Sequence, residues 1–125
     1  MNQWVCLIIG GSAGTLLRYV LSGWFLQRAG TAFPYGTLTV NLTGCFLIGF
    51  LTVFLEARGP LSAEARLLLI AGFCGAFTTF STLIFEFYEL IRSGDLLKAF
   101  LYAGISFVAG FFLFCAGVWL AQKRH

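Results

Sequence analysis

The sequence predicts an all-α integral membrane protein with four transmembrane helices, the third broken near the midplane, that forms an antiparallel (dual-topology) homodimer. Three observations support this prediction. The 125 residues are 59% hydrophobic and only 10% charged, whereas soluble domains carry about 25% charged residues. Four apolar stretches are long enough to cross a bilayer. Basic residues are divided almost equally between the two ends of these stretches.

The composition also excludes several classes of protein. The shortage of charge extends along the whole chain, which argues against a soluble domain with one membrane anchor. A net charge of +3 is too small to indicate a nucleic-acid partner. Met1-Asn2-Gln3 lacks the basic start of a signal peptide. We interpret the four cysteines as small apolar fillers rather than disulfides or metal ligands, because they are scattered and form no C-x-x-C. They are Cys6, Cys45, Cys74 and Cys115.

A spanning helix needs about 20 mostly apolar residues, and the chain offers four candidates in one transmembrane domain. They cover roughly residues 4–26, 34–56, 65–91 and 96–121. The connections contain residues typical of helix ends. These are Pro34 in the first turn of the second helix, Gly59-Pro60 in the second loop, Ser62 with Glu64 at the start of the third helix, and the turn Arg92–Asp95, in which Asp95 is expected to cap the fourth helix.

The basic residues give almost no orientation signal. Four lie on the side of the termini and second loop, and three lie on the opposite side. The first set is Arg58, Arg66, Lys123 and Arg124, and the second is Arg28, Arg92 and Lys98. Because the positive-inside rule needs an excess on one side, we predict that the chain inserts in both orientations and that two opposite copies pair. A single orientation set by a weak bias is the alternative.

Two polar residues stand out within the first two spans, where polar groups are costly and tend to mark pathways. Arg18 is about eight residues from the nearer end of its span, which favours a structural or vestibule role over snorkelling to the membrane surface. Asn41 shares a helix face with Thr37 and Gly44. An interhelical hydrogen bond is the alternative to a role of Asn41 in a pathway.

The third span contains the stretch GFCGAFTTFST, residues 72–82. The apolar run before it, Leu67 to Phe77, is 11 residues, which spans about 16 Å as a helix and therefore half a bilayer. The stretch thus predicts a helix broken at Thr78-Thr79, with unpaired main-chain groups at the break. An unbroken helix whose hydroxyls bond to preceding carbonyls is the alternative.

These residues do not form a catalytic constellation. The histidine, His125, is at the tail, and no acidic residues pair at the midplane, so we do not expect an enzyme. What remains are neutral donors, Asn41, Ser81, Thr82 and Ser106, with phenyl rings among them. Neutral donors and the positive edges of aromatic rings are suited to an anion.

Three segments, GGSAGTLLRY, GTLTVNLTG and GFCGAFTTFST, together resemble the Fluc (CrcB-like) fluoride channels of bacteria over nearly the whole chain. The resemblance implies an antiparallel homodimer with two pores that lets toxic fluoride leave the cytoplasm passively across the inner membrane. It also implies a structural sodium ion at the dimer centre, held by the carbonyls of Gly75 and Thr78. The partners implied are fluoride, a second copy of the chain and membrane lipid.

The resemblance also assigns side chains to the pathway. The fluoride pathway would include Thr37, Asn41, Phe80, Ser81, Thr82, Leu83, Tyr102 and Ser106, and the vestibule and pore mouth would hold Arg18 and Glu86. Three positions depart from the family pattern: Leu83 replaces a second Phe, Gly110 replaces a hydroxyl, and Ala76 replaces a frequent glycine. With Leu83, the pathway lacks the second of the two phenyl rings that the family pattern implies.

Two other membrane functions remain as alternatives. A small multidrug-type proton-coupled exporter is also short, four-helical and dual in topology, but it needs a membrane-embedded carboxylate. The candidates here, Glu86 and Glu89, lie near the end of the third span. A non-conducting structural subunit is the second alternative, although it has no need of a broken, hydroxylated helix.

The balanced charge count generates a testable prediction about orientation. Single cysteines at the two ends of the molecule, in a background without native cysteines, should each be labelled from both sides of the membrane. Impermeant thiol reagents applied to sealed and to opened vesicles measure this. Labelling of each position from one side alone would contradict insertion in both orientations.

Overall fold

The computed structural model describes residues 2–59 and 62–124, and these residues form helices and short connections with no strand. Four helical stretches are long and apolar enough to cross a membrane. The predicted all-helical membrane class with four spans is therefore confirmed. The predicted turn at Pro60 and the tail residue His125 lie outside the described residues.

The first two helices are continuous. Helix α1 runs over Gln3–Ala29, and its 27 residues correspond to a length of about 40 Å. It ends at Gly30, whose φ of 75° is a conformation that favours glycine. Helix α2 runs over Tyr35–Glu56, with Pro34 at the preceding N-cap position.

The third span changes its helical geometry along its length. It begins as one α-helical turn, Ser62–Ala65, continues as a π-helix, Arg66–Cys74, and returns to α-helical geometry at Gly75–Phe77. We refer to residues 62–77 together as α3. Residues 78–80 lie outside the helices, and helix α4 then runs over Ser81–Arg92. π-Helical segments are rare and often lie at functional sites.

A tight turn joins α4 to helix α5, which runs over Leu96–Lys123. Gly94 has a φ of 88°, and the Asp95 amide donates to the Leu90 carbonyl at 2.9 Å, which is the hydrogen-bond pattern of a Schellman motif. Asp95 occupies the N-cap position of α5, but its side chain forms no capping hydrogen bond. The expected N-cap residue is therefore confirmed, and its carboxylate lies 3.5 Å from the Ser93 hydroxyl.

Glycines set the closest approaches between helices. Helix α1 meets α3 at Gly10 and Gly14, where an added methyl group would overlap the carbonyl oxygens of Leu68 and Phe73. Helices α2 and α5 meet in the same way at Gly49 and Gly117. The main chains of these helix pairs are therefore in direct contact, as small-residue interfaces in membranes allow.

The glycine contacts generate a prediction about stability. Gly14→Ala should lower the thermal stability of the purified protein, because overpacking costs about 1–3 kcal/mol. Gly23→Ala in the same helix is the matched control, since no atom lies within 4 Å of an added methyl group there. Alanine is the better helix former, so the control should be neutral or stabilising. Equal unfolding temperatures for the two variants would contradict the close packing of α1 on α3.

Candidate functional site

The candidate site is built around residues 78–80, between α3 and α4. The Thr78 amide still donates to the Cys74 carbonyl at 3.0 Å, but Thr78 itself is extended, with φ −91° and ψ 160°. Helical hydrogen bonding resumes where the Ile84 amide donates to the Phe80 carbonyl. We call residues 78–80 the linker segment. Its main-chain groups lie within an apolar span and therefore need partners from the protein.

Asn41 of α2 supplies two of these partners. Its Nδ2 donates to the Thr79 carbonyl at 2.9 Å, and its Oδ1 accepts from the Thr79 amide at 2.8 Å. The side-chain amide thus pairs with Thr79 as a neighbouring strand would. This interhelical bond was one of the two interpretations of Asn41, and a role on a fluoride path stays a prediction.

Arg18 of α1 supplies a third partner. Its Nε donates to the Ala76 carbonyl at 2.9 Å in a partly buried position. The carbonyls in the last turn of a helix lack following amides, so Arg18 satisfies one of those that α3 exposes. The guanidinium is turned inward, toward α3, and does not extend to the end of its own helix.

Both the hydroxyl and the methyl group of the Thr78 side chain contact the protein. Its hydroxyl donates to the Cys74 carbonyl at 2.9 Å, and its methyl group lies against Gly44, where an added Cβ would overlap it. Sequence reasoning named Gly44 only as a neighbour of Asn41 and did not identify this contact. A glycine one turn after a polar Asn on the same helix face is the signal that could have found it.

The linker segment also redirects two amides from their helical acceptors. In an unbroken helix the amides of Thr79 and Thr82 would donate to the carbonyls of Gly75 and Thr78. Here Thr79 donates to Asn41, and Thr82 donates to the Thr79 hydroxyl at 3.3 Å. The Gly75 and Thr78 carbonyl oxygens are therefore without their helical donors. Gly75 is exposed on the surface of the chain.

An open cavity of about 820 Å³ leads to this segment. Four predicted site residues line it, namely Arg18, Thr37, Thr82 and Glu86, and Thr79 lines it as well. The cavity collects polar side chains from α1, α2 and α4 beside the linker segment. Within the described residues, Arg18 forms no ion pair with Glu86 or with another acid, so both signs of charge face the same open space.

Glu86 and Tyr102 form a polar pair between α4 and α5. The fully buried Tyr102 donates from its hydroxyl to Glu86 Oε1 at 3.1 Å, and the Thr37 hydroxyl faces the same pair. Leu83 packs against the buried cluster formed by Leu90, Ala99 and Tyr102. Leu83 does not line the cavity, so its part in a pathway stays a prediction.

The remaining predicted residues lie away from the cavity. Phe80 is 76% exposed, and Ser81 beside it is also exposed. Ser106 Oγ on α5 is buried and has no hydrogen-bond partner among the described residues. Within the part of the chain that the structure describes, no group of three or more His, Cys, Asp or Glu residues is arranged to hold a metal. The oxygens that lost their helical donors, at Gly75 and Thr78, are the candidate cation ligands.

The Asn41 contacts generate a prediction about the linker segment. Asn41→Asp removes the Nδ2 donor and brings a carboxylate oxygen toward the Thr79 carbonyl. A buried acceptor left without a donor costs about 1–3 kcal/mol, so the unfolding temperature should fall. Thr43→Ala, at an exposed position of the same helix, is the matched control and should leave it unchanged. An unchanged unfolding temperature for Asn41→Asp would contradict the role of Asn41 as main-chain partner.

Comparison with known proteins identifies the family. Residues 5–118 match the family described as "CrcB-like protein, Camphor Resistance (CrcB)". The chain is 49% identical over 112 residues to the fluoride-specific ion channel FluC of Roseiflexus sp. (strain RS-1), with 87% of this chain and 90% of the relative covered. It is 44% identical over 119 residues to FluC of Acidobacterium capsulatum, with 95% and 90% covered. The corresponding values for FluC of Thermus thermophilus are 45% over 113 residues, with 90% and 88% covered.

These relatives are named as ion channels, so the family is not enzymatic, in agreement with the sequence analysis. The coverage extends through all four spans, and the resemblance drawn from the three polar segments is confirmed. The chain therefore belongs to the CrcB-like family.

Proposed function

We propose that this multi-pass membrane protein is a fluoride-selective channel that lets fluoride leave the cytoplasm passively. The observation that carries the proposal is the similarity, over about nine-tenths of the chain, to relatives named as fluoride-specific ion channels. The site adds a chemical argument, because its side chains offer neutral hydrogen-bond donors at membrane depth. We assign the protein to the cytoplasmic (inner) membrane of a bacterium.

Fluoride is a small anion that accepts hydrogen bonds strongly, so a path across hydrocarbon must replace its water. Among the side chains, Ser106 Oγ supports this proposal most directly, because a buried hydroxyl without a partner among the described residues retains a donor for a passing ion. Ser81, Thr82 and the ring edge of Phe80 extend the same chemistry, whereas the Tyr102 hydroxyl already donates to Glu86. Neutral donors replace water without holding the ion too tightly to leave.

The mouth of the path is assigned to the open cavity. Arg18 lines it without an acidic partner among the described residues, and a fixed positive charge in a concave space raises the local anion concentration. Thr37 and Thr82 lead from this mouth toward the linker segment. Glu86 is held by Tyr102 at the same mouth, which keeps its carboxylate away from Arg18.

We further propose that a structural sodium ion binds the Gly75 and Thr78 carbonyls near the midplane. The fit rests on the loss of their helical donors, since main-chain oxygens at interrupted membrane helices are sodium ligands in other transport proteins. A bound sodium ion would supply fixed positive charge and join the chains that ligate it. Two carbonyls are too few for a cation site, which calls for a second copy of the chain.

The second copy is proposed to pair in the opposite orientation, giving an antiparallel dimer with two pores. The nearly equal count of basic residues on the two sides, four against three, permits both orientations. A two-fold axis at Gly75 and Thr78 would bring four carbonyls together. The exposed side chains of Phe80 (76%) and Phe107 (81%) provide apolar surface for such a contact.

Fluoride and chloride efflux from liposomes containing the purified protein test the proposal. We expect fast fluoride efflux and no chloride efflux. Ser106→Ala should slow fluoride efflux about tenfold if it removes a hydrogen bond to the passing ion. Ser12→Ala, an exposed serine of α1, is the matched control and should conduct normally.

Chloride efflux as fast as fluoride efflux would contradict fluoride selectivity. If well-folded dimers carry no fluoride, Leu83→Phe provides the next test. Recovery of efflux in that variant would attribute the inactivity to the missing ring. If Leu83→Phe also carries no fluoride, the chain shares the fold of the family but not its channel function.

A further inference from the structure

We propose that Arg18 is a positioning residue for the cation site. Its Nε–H holds the Ala76 carbonyl at 2.9 Å and so fixes the main chain from which the Gly75 and Thr78 carbonyls project. This inference rests on the sodium site proposed above. It assigns to Arg18 a second role, separate from the charge that it presents to the cavity.

The position of Ala76 makes this role direct. Ala76 follows Gly75 immediately and precedes Thr78 by two residues. Its carbonyl belongs to the peptide unit that follows the Gly75 carbonyl, two units before that of Thr78, so a displacement there is passed to the main chain that carries both proposed ligands. Asn41 holds the main chain at Thr79, on the far side of Thr78. Arg18 from α1 and Asn41 from α2 thus each hold the residue that directly follows one of the two ligand residues.

The packing of α1 fixes the base of the Arg18 side chain. Gly14, one turn earlier in α1, lies so close to the end of α3 that an added Cβ would overlap the Phe73 carbonyl oxygen. The same Cβ would lie 3.0 Å from the Phe77 amide nitrogen. Helix α1 is therefore in main-chain contact with the turn that Arg18 caps. This contact fixes the position of the Arg18 Cα, from which the side chain reaches the Ala76 carbonyl.

The two roles of Arg18 use different atoms. Nε donates a hydrogen bond to the Ala76 carbonyl, whereas the terminal nitrogens of the guanidinium carry further donors and share the positive charge. The side chain also lines the cavity. A substitution that keeps a donor at the Nε position but removes the charge separates the two roles.

Arg18→Gln and Arg18→Met provide this separation. The amide nitrogen of Gln follows the same number of bonds as Nε, so Gln keeps the donor and loses the charge. Met has a similar length and loses both. Gln27→Met, at an exposed position of the same helix, is the matched control for expression and assembly, because it leaves the balance of basic residues unchanged.

The measurement is the unfolding temperature of the full-length protein in detergent across a sodium titration, with N-methylglucamine as the replacing cation. Sodium that binds only the folded protein raises this temperature with concentration. We expect the half-maximal sodium concentration of Arg18→Gln to equal or fall below that of the wild type, because a nearby positive charge is removed. Arg18→Met should require about tenfold more sodium, which corresponds to about 1.4 kcal/mol.

Equal sodium requirements in Arg18→Gln and Arg18→Met would overturn the positioning role. If Arg18→Met does not fold, Arg18→Gln decides alone, since a raised sodium requirement in that variant also overturns it. A wild type without sodium-dependent stabilisation would overturn the inference together with the sodium site. Fluoride selectivity in liposomes is measured separately, so that outcome leaves the channel function to its own test.

Discussion

The pair of hydrogen bonds between the Asn41 side chain and the Thr79 main chain is the interaction on which the rest of the site depends. Hydrocarbon provides no water for a main-chain amide or carbonyl, so a chain that leaves helical geometry there must find partners within the protein. Asn41 provides a donor and an acceptor at once, which no hydroxyl does with the same geometry. These bonds give the Thr79 amide an acceptor other than the Gly75 carbonyl, which it would have in an unbroken helix.

Once the linker segment is held open, its two sides differ. On the side that faces α1 and α2, Arg18 donates a hydrogen bond to the Ala76 carbonyl, and the Thr78 methyl group packs against Gly44. The outer side keeps Gly75 and Phe80 exposed. The chain thus fixes the main chain of the linker segment from within and leaves the opposite face exposed, which is the physical basis of the proposed dimer.

The glycines make this arrangement stiff. At Gly10, Gly14, Gly49 and Gly117 neighbouring helices touch through main-chain atoms, so their separation does not depend on side-chain rotamers. A site that selects for a small ion needs donors in fixed positions, and main-chain contact is a direct way to fix them. The glycine contacts therefore support the polar site, because they set the distances between the helices that carry its side chains.

The sequence by itself determined the membrane class, the four spans and the polar positions Arg18, Asn41 and 72–82, because composition, hydropathy and the cost of buried polarity are local properties. Only the tertiary structure decided which atoms those residues meet. The partners of Arg18 and Asn41 lie 58 and 38 positions away, and the rotation and depth of each packed helix select them. For the same reason the sequence did not reveal the Gly44 contact, the packing of Leu83 beside Tyr102, or the redirected amides of Thr79 and Thr82.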